Sequence, residues 1–109
     1  MTDHDMAGPE SLSEVRARID DIDAGLIRLL ADRQSLVRAA AAFKADEQAV
    51  RAPARVEEVI ALARERAIAA GLAPAVAESV WRAMIGAFIE LEIAEQAGHG
   101  QVAGDRPAR

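Results

Sequence analysis

GLIRLLADRQSLVRAA, residues 25–40, carries a seam of apolar side chains broken by one arginine. Leu26, Leu29, Leu36 and Ala40 keep a regular spacing, and Arg33 stands where that spacing asks for a leucine. Upstream, Leu12, Val15, Ile19 and Ile22 continue the same 3-4 alternation, the signature of a helix that packs lengthwise on another helix. Ser11 caps its start, and Glu14 three residues on completes a capping box. Nothing interrupts the pattern before Asp46, so the spacing predicts one helix of about 35 residues, roughly 50 Å long. A compact chain of this size has a radius of gyration near ~13 Å. Such a rod would extend past its own domain with its seam uncovered. A second copy of the chain is the cover that the seam itself implies.

The rest of the chain agrees with an all-α fold. Its 109 residues suit one domain. They are 51% apolar and include only two phenylalanines and one tryptophan, which favours helix over a sandwich or barrel. Pro53 suits the first turn of a second helix carrying Val56, Val59, Ile60, Leu62 and Ala63, which Gly71 ends. Pro74 starts a third helix, whose buried face holds Val80, Trp81, Met84, Ile85, Phe88, Ile89, Glu92 and Ile93, with Gly98 and Gly100 at its end. The expected organisation is a helical domain over 11–97 between disordered tails, 1–10 and 98–109.

Composition also removes function classes. A net charge of −5 gives no reason to expect nucleic acid or an anionic membrane as partner. Without cysteine there is no disulfide, thiol nucleophile or thiolate metal site. The start MTDHDMAGPES lacks the features of a signal peptide, and no apolar run reaches the roughly 20 residues of a membrane span. The reading is a soluble, cytoplasmic protein. No metal-ligand spacing, phosphate loop or Ser–His pair stands out, so no metal or cofactor is expected.

Three charges fall on faces that look buried. Arg33 sits in the seam, and Lys44, 11 residues later, returns to within ~20° of the same direction on a continuous helix, about 16 Å away. Glu92 follows Ile85 by seven residues and Phe88 by four, on the packed stripe of the third helix. Two cations and a carboxylate directed into a core would make a polar pocket for a small polyanion, since burying them unpaired is costly. Each has a plainer reading. Arg33 sets helix register, Lys44 is a solvated cation near a helix end, and Glu92 bridges to an arginine. The other arginines, Arg16, Arg18, Arg28, Arg38, Arg51, Arg55, Arg64, Arg66 and Arg82, read as mostly solvated.

Taken as a set, VRARIDDIDAGLIRLLADRQSLVRAAAAFK, the connector with APARVEEVI, the GL before the third helix and VWRAMIGAFIELE resemble the all-helical chorismate mutases. The resemblance spans roughly 12–93 and fixes cations as well as apolar spacing. It implies an intertwined homodimer of three-helix protomers, each with one long N-terminal helix. It also implies a cofactor-free rearrangement of chorismate to prephenate in aromatic amino-acid biosynthesis. Close relatives instead cleave isochorismate to salicylate and pyruvate.

Residue by residue, the resemblance assigns Arg16 to the partner's site and Arg33 to a substrate carboxylate. Lys44 falls near the breaking ether oxygen, Arg55 closes over the ligand from the connector, and Glu92 hydrogen-bonds the same ether oxygen. Glu92 could donate that bond only when protonated. Val56 is a departure, because mutases commonly carry there a glutamate that holds the ring hydroxyl; Glu57 is one step on and would face another way. The connector FKADEQAVRAPARV resembles the isochorismate pyruvate lyases more than a typical mutase, whereas a glutamate at 92 fits the mutases. Chorismate mutase is the leading reading and isochorismate pyruvate lyase the alternative. A non-catalytic dimeric helical adaptor is the reading from another class.

Overall fold

The computed structural model describes residues 8–105, and side chains as far as Gly98. Among them are four helices and no strand: α1 (Leu12–Ala41), α2 (Glu47–Arg51), α3 (Pro53–Ala70) and α4 (Pro74–Asp105). None is long and apolar enough to cross a membrane. The chain divides into two units, one ending at Ser35 and one starting at Leu36.

In the first unit, α1 starts much as its sequence dictates. Ser11 Oγ accepts from the Glu14 N–H at 3.0 Å, and Glu14 Oε1 accepts from the Glu10 N–H at 2.6 Å. The reciprocal bond thus reaches one residue further back than a capping box requires. Glu14 also pairs with Arg18 at 3.2 Å, one turn along. The seam residues Leu12, Ile19, Ile22, Leu26 and Leu29 are each about half exposed or more, from 49% at Ile19 to 65% at Leu29.

The second unit holds the last turns of α1 together with α2, α3 and α4. Its core consists of Val50 on α2, Ile60, Ala63 and Ala67 on α3, and Ala77 and Ile85 on α4, with Glu92 buried beside them. Three of those core residues are alanines, which let the α3 and α4 backbones approach closely. Gly71 ends α3 at φ 81, and the Leu72 N–H reaches back to Ala67 O at 2.8 Å, a closure that favours glycine because it needs left-handed backbone. Charges clip the two helices together. Arg64 meets Glu78 at 2.8 Å, and Arg82 meets both Glu57 and Glu78, at 3.0 and 2.8 Å.

Three expectations need correction. The long helix stops at Ala41, short of Asp46. The N–H groups of Ala42, Phe43 and Lys44 bond to the carbonyls three residues back, at 3.3, 3.0 and 3.1 Å, which tightens the chain into a turn. Asp46 then caps a helix of its own: its side chain accepts from the Ala49 N–H at 2.9 Å. Among the described residues there are therefore four helices, not three, because Asp46 favours a cap over a helix interior. At the other end, α4 passes through Gly98 and Gly100 to Asp105. A glycine costs a helix only about 1 kcal/mol, and Gly98 does not take the positive φ that would end one. Val80 is 51% exposed instead of buried, since it lies at the edge of the stripe marked by Ala77, Ile85 and Glu92. The disorder expected of residues 1–7 and 106–109 falls outside the described residues.

Candidate active site

Glu92, Glu95 and Gln96 follow one another at the i, i+3, i+4 spacing that places side chains on one face of a helix. Facing that stretch of α4 are Arg38 and Ala41 from the end of α1, and Ala42, Lys44 and Ala45 from the turn beyond it. Together they line a cleft of ≈ 830 Å³. The three alanines leave the space, and the four charged residues give it its chemistry.

Lys44 Nζ donates to both carboxylate oxygens of Glu92, at 3.2 and 3.1 Å. Glu92 is 5% exposed, whereas the Lys44 side chain keeps 27% of its surface. The carboxylate is therefore sunk in the core, and its cation sits between it and the open cleft. A second pair stands beside the first. Arg38 Nε donates to both oxygens of Glu95 at 3.1 Å, and this hydrogen bonding raises the guanidinium above its ordinary pKa. The Arg38 and Glu95 side chains are 50% and 34% exposed.

The structure brings Lys44 and Glu92 together, although not by the expected route. A continuous helix would have set Lys44 on the stripe of Arg33, but α1 ends before Lys44, so that angular relation does not hold. The turn after Ala41 places Lys44 instead. Arg16 is exposed and Arg33 half-buried, both in the first unit. Arg55 lies exposed in the first turn of α3, donating to Glu58 at 3.3 Å, and does not line the cleft. Val56 is half-buried. Glu57 accepts from Arg82 through both oxygens at 3.0 Å, which holds it below the usual carboxylate range.

Sequence reasoning missed Arg38, Glu95 and Gln96. Arg38 reads as one solvated arginine among many, and nothing local to it says otherwise. The spacing of Glu92, Glu95 and Gln96 was the available signal, a polar stripe where the rest of the face is apolar.

Two comparisons with known proteins bear on this cleft. An isochorismate pyruvate lyase of Pseudomonas aeruginosa is 41% identical over 49 residues, 45% of this chain and 48% of that protein. The similarity thus spans about half the length of that relative. Residues 15–93, a stretch that includes Arg16, Arg33, Lys44, Arg55 and Glu92, match the model of the family Chorismate mutase type II.

Proposed function

We propose, on the premise that the chain belongs to the chorismate mutase type II family, that it is a cofactor-free enzyme that rearranges chorismate to prephenate. The observation that carries this reading is the Lys44 ammonium held on the buried carboxyl of Glu92 at the wall of a cleft. The rearrangement is intramolecular: one carbon–oxygen bond of the ether breaks as one carbon–carbon bond forms, and no proton or electron enters or leaves. Such a reaction needs a site that holds the compact conformer and stabilises charge growing on the ether oxygen.

Lys44 supplies the cation for that charge. Glu92 stands beside the same oxygen, and Glu92→Gln, which keeps the shape and supplies a hydrogen-bond donor, retains activity. Arg33 supplies a fork for a substrate carboxylate, a geometry an ammonium cannot copy, and Arg55 closes over the ligand from the connector. Arg16 reaches the site of a second copy of the chain. The uncovered seam of α1, with Leu12, Ile22 and Leu29 all more than 60% exposed, supports this homodimer.

A second reading, isochorismate pyruvate lyase, is favoured by the name of the Pseudomonas relative and by Val56. It uses the same cleft with the ring hydroxyl moved and a hydrogen transferred as pyruvate leaves. Incubating the purified protein with chorismate and with isochorismate separately, and identifying the products, decides between them. Prephenate from chorismate supports the mutase; salicylate and pyruvate from isochorismate alone replace it with the lyase. A helical adaptor yields neither product and gains no thermal stability from a dicarboxylate transition-state mimic.

A further inference from the structure

Two carboxylates one turn apart on α4 face two cations across one cleft, and each cation is committed to one of them. Lys44 holds Glu92 and Arg38 holds Glu95. Residues spaced i, i+3 on a helix have Cβ atoms about 5–6 Å apart, so an exchange of partners asks only for new rotamers of long side chains. Stability does not account for the outer pair, because ion pairs this exposed contribute little. Competition does. A guanidinium offers a carboxylate two parallel bonds where an ammonium offers one point charge, so an uncommitted Arg38 would take Glu92 from Lys44. Both oxygens of Glu92 would then be occupied by a fork, and Lys44 would lose the carboxylate that holds it at the cleft wall.

We propose that Glu95 is a positioning residue that keeps Arg38 off Glu92 and so reserves Glu92 for Lys44. Arg38 acts reciprocally, keeping Glu95 from drawing Lys44 away. The proposal rests on the reading of Lys44 and Glu92 as the groups that act on the ether oxygen, and it concerns which cation each carboxylate takes.

The test compares full-length Glu95→Gln, Arg38→Leu and the double variant, with kcat measured on whichever substrate the wild type consumes and melting temperatures recorded alongside. Each single change lowers kcat about tenfold, within the range of couplings inside one ion-pair network. The double variant, with neither competitor present, returns to within about threefold of wild type. A pair that only clamps α1 to α4 gives the opposite result: the double variant is no faster than the slower single one, and the rates follow the melting temperatures. That outcome overturns the proposal. A crystal structure of Glu95→Gln gives a readout independent of turnover. Arg38 within hydrogen-bond distance of Glu92 supports the sorting role, and Arg38 left at position 95 or in solvent refutes it. If the wild type consumes neither chorismate nor isochorismate, the functional reading fails on its own, and this structure still judges the pairing.

Discussion

Replacing Lys44 by alanine removes the cation from a carboxylate that is 5% exposed, and two separable losses follow. Breaking a fully buried ion pair from one side costs about 3–5 kcal/mol. Here the lysine end retains 27% of its surface, so water and counterions recover part of that. The expected destabilisation is roughly 1–3 kcal/mol. At about 4 °C per kcal/mol for a chain of this size, the melting temperature falls by roughly 4–12 °C. The rate loss is separate: on the proposed role of Lys44, one group stabilising transition-state charge is worth about 100-fold or more in kcat. The double variant Lys44→Ala, Glu92→Gln tells the two apart, because a neutral amide needs no cation. It should recover most of the melting temperature and none of the rate. Circular dichroism melts at fixed protein concentration and steady-state kinetics on the three variants suffice. A single variant that melts within a degree of wild type, or a double that melts no higher than the single, refutes the electrostatic account of this pair.

On the proposed homodimer, in which Arg16 completes the site of the other copy, mixing Arg16→Ala chains with Arg33→Ala chains should regenerate activity, since one site in the heterodimer would then be intact; verified heterodimers without activity exclude the shared site. Arg82 holds Glu57 and Glu78 below the ordinary carboxylate value of 4.5 by hydrogen bonding. The stability it contributes is fully present above that pH and lost as pH falls through the lowered folded-state values. Arg82→Leu should therefore melt lower at neutral pH and show a shallower decline in acid; parallel acid limbs would count against the clip. Ala52→Gly should raise stability by roughly 0.5–1 kcal/mol, because alanine at φ 36 is held in left-handed backbone that glycine adopts without a clash. A lower denaturation midpoint would mean that glycine's extra freedom in the unfolded chain outweighs that relief.

How far the sequence speaks for the structure differs from place to place. Ser11, Pro53, Gly71 and Pro74 mark helix ends through local chemistry, and the helices begin or end beside each of them. Lys44 and Glu92, 48 residues apart, were recognisable as candidates because charge on an apolar stripe is conspicuous. Their meeting was not legible from periodicity, which carried α1 on toward Asp46, past the turn that aims Lys44. The helix signal in DEQAVR was present but faint: an Asp46 cap, Glu47 in the first turn and Arg51 in the last. Arg38 was beyond reach, because its place is fixed by Glu95 on another helix, and pairwise side-chain choices across helices leave no trace in a one-dimensional pattern. The seam of α1 lies between these cases. Its residues are as apolar as the spacing required, and in the single chain they stand in water.

With five residues, α2 is far shorter than a helix that persists unaided. Its order is borrowed from one buried valine, Val50, and one side-chain cap, Asp46. Exposing a valine costs about 1.5–3 kcal/mol and losing a cap about 1, so this segment opens without disturbing the packing of α3 on α4. Its amide protons should exchange with solvent deuterium well ahead of those in the facing halves of α3 and α4. The chain from Lys44 to Arg55 passes through this segment, so each such opening briefly unfastens the backbone between two cations. The deuterium exchange rate of the Val50 amide would serve as the clock of that opening.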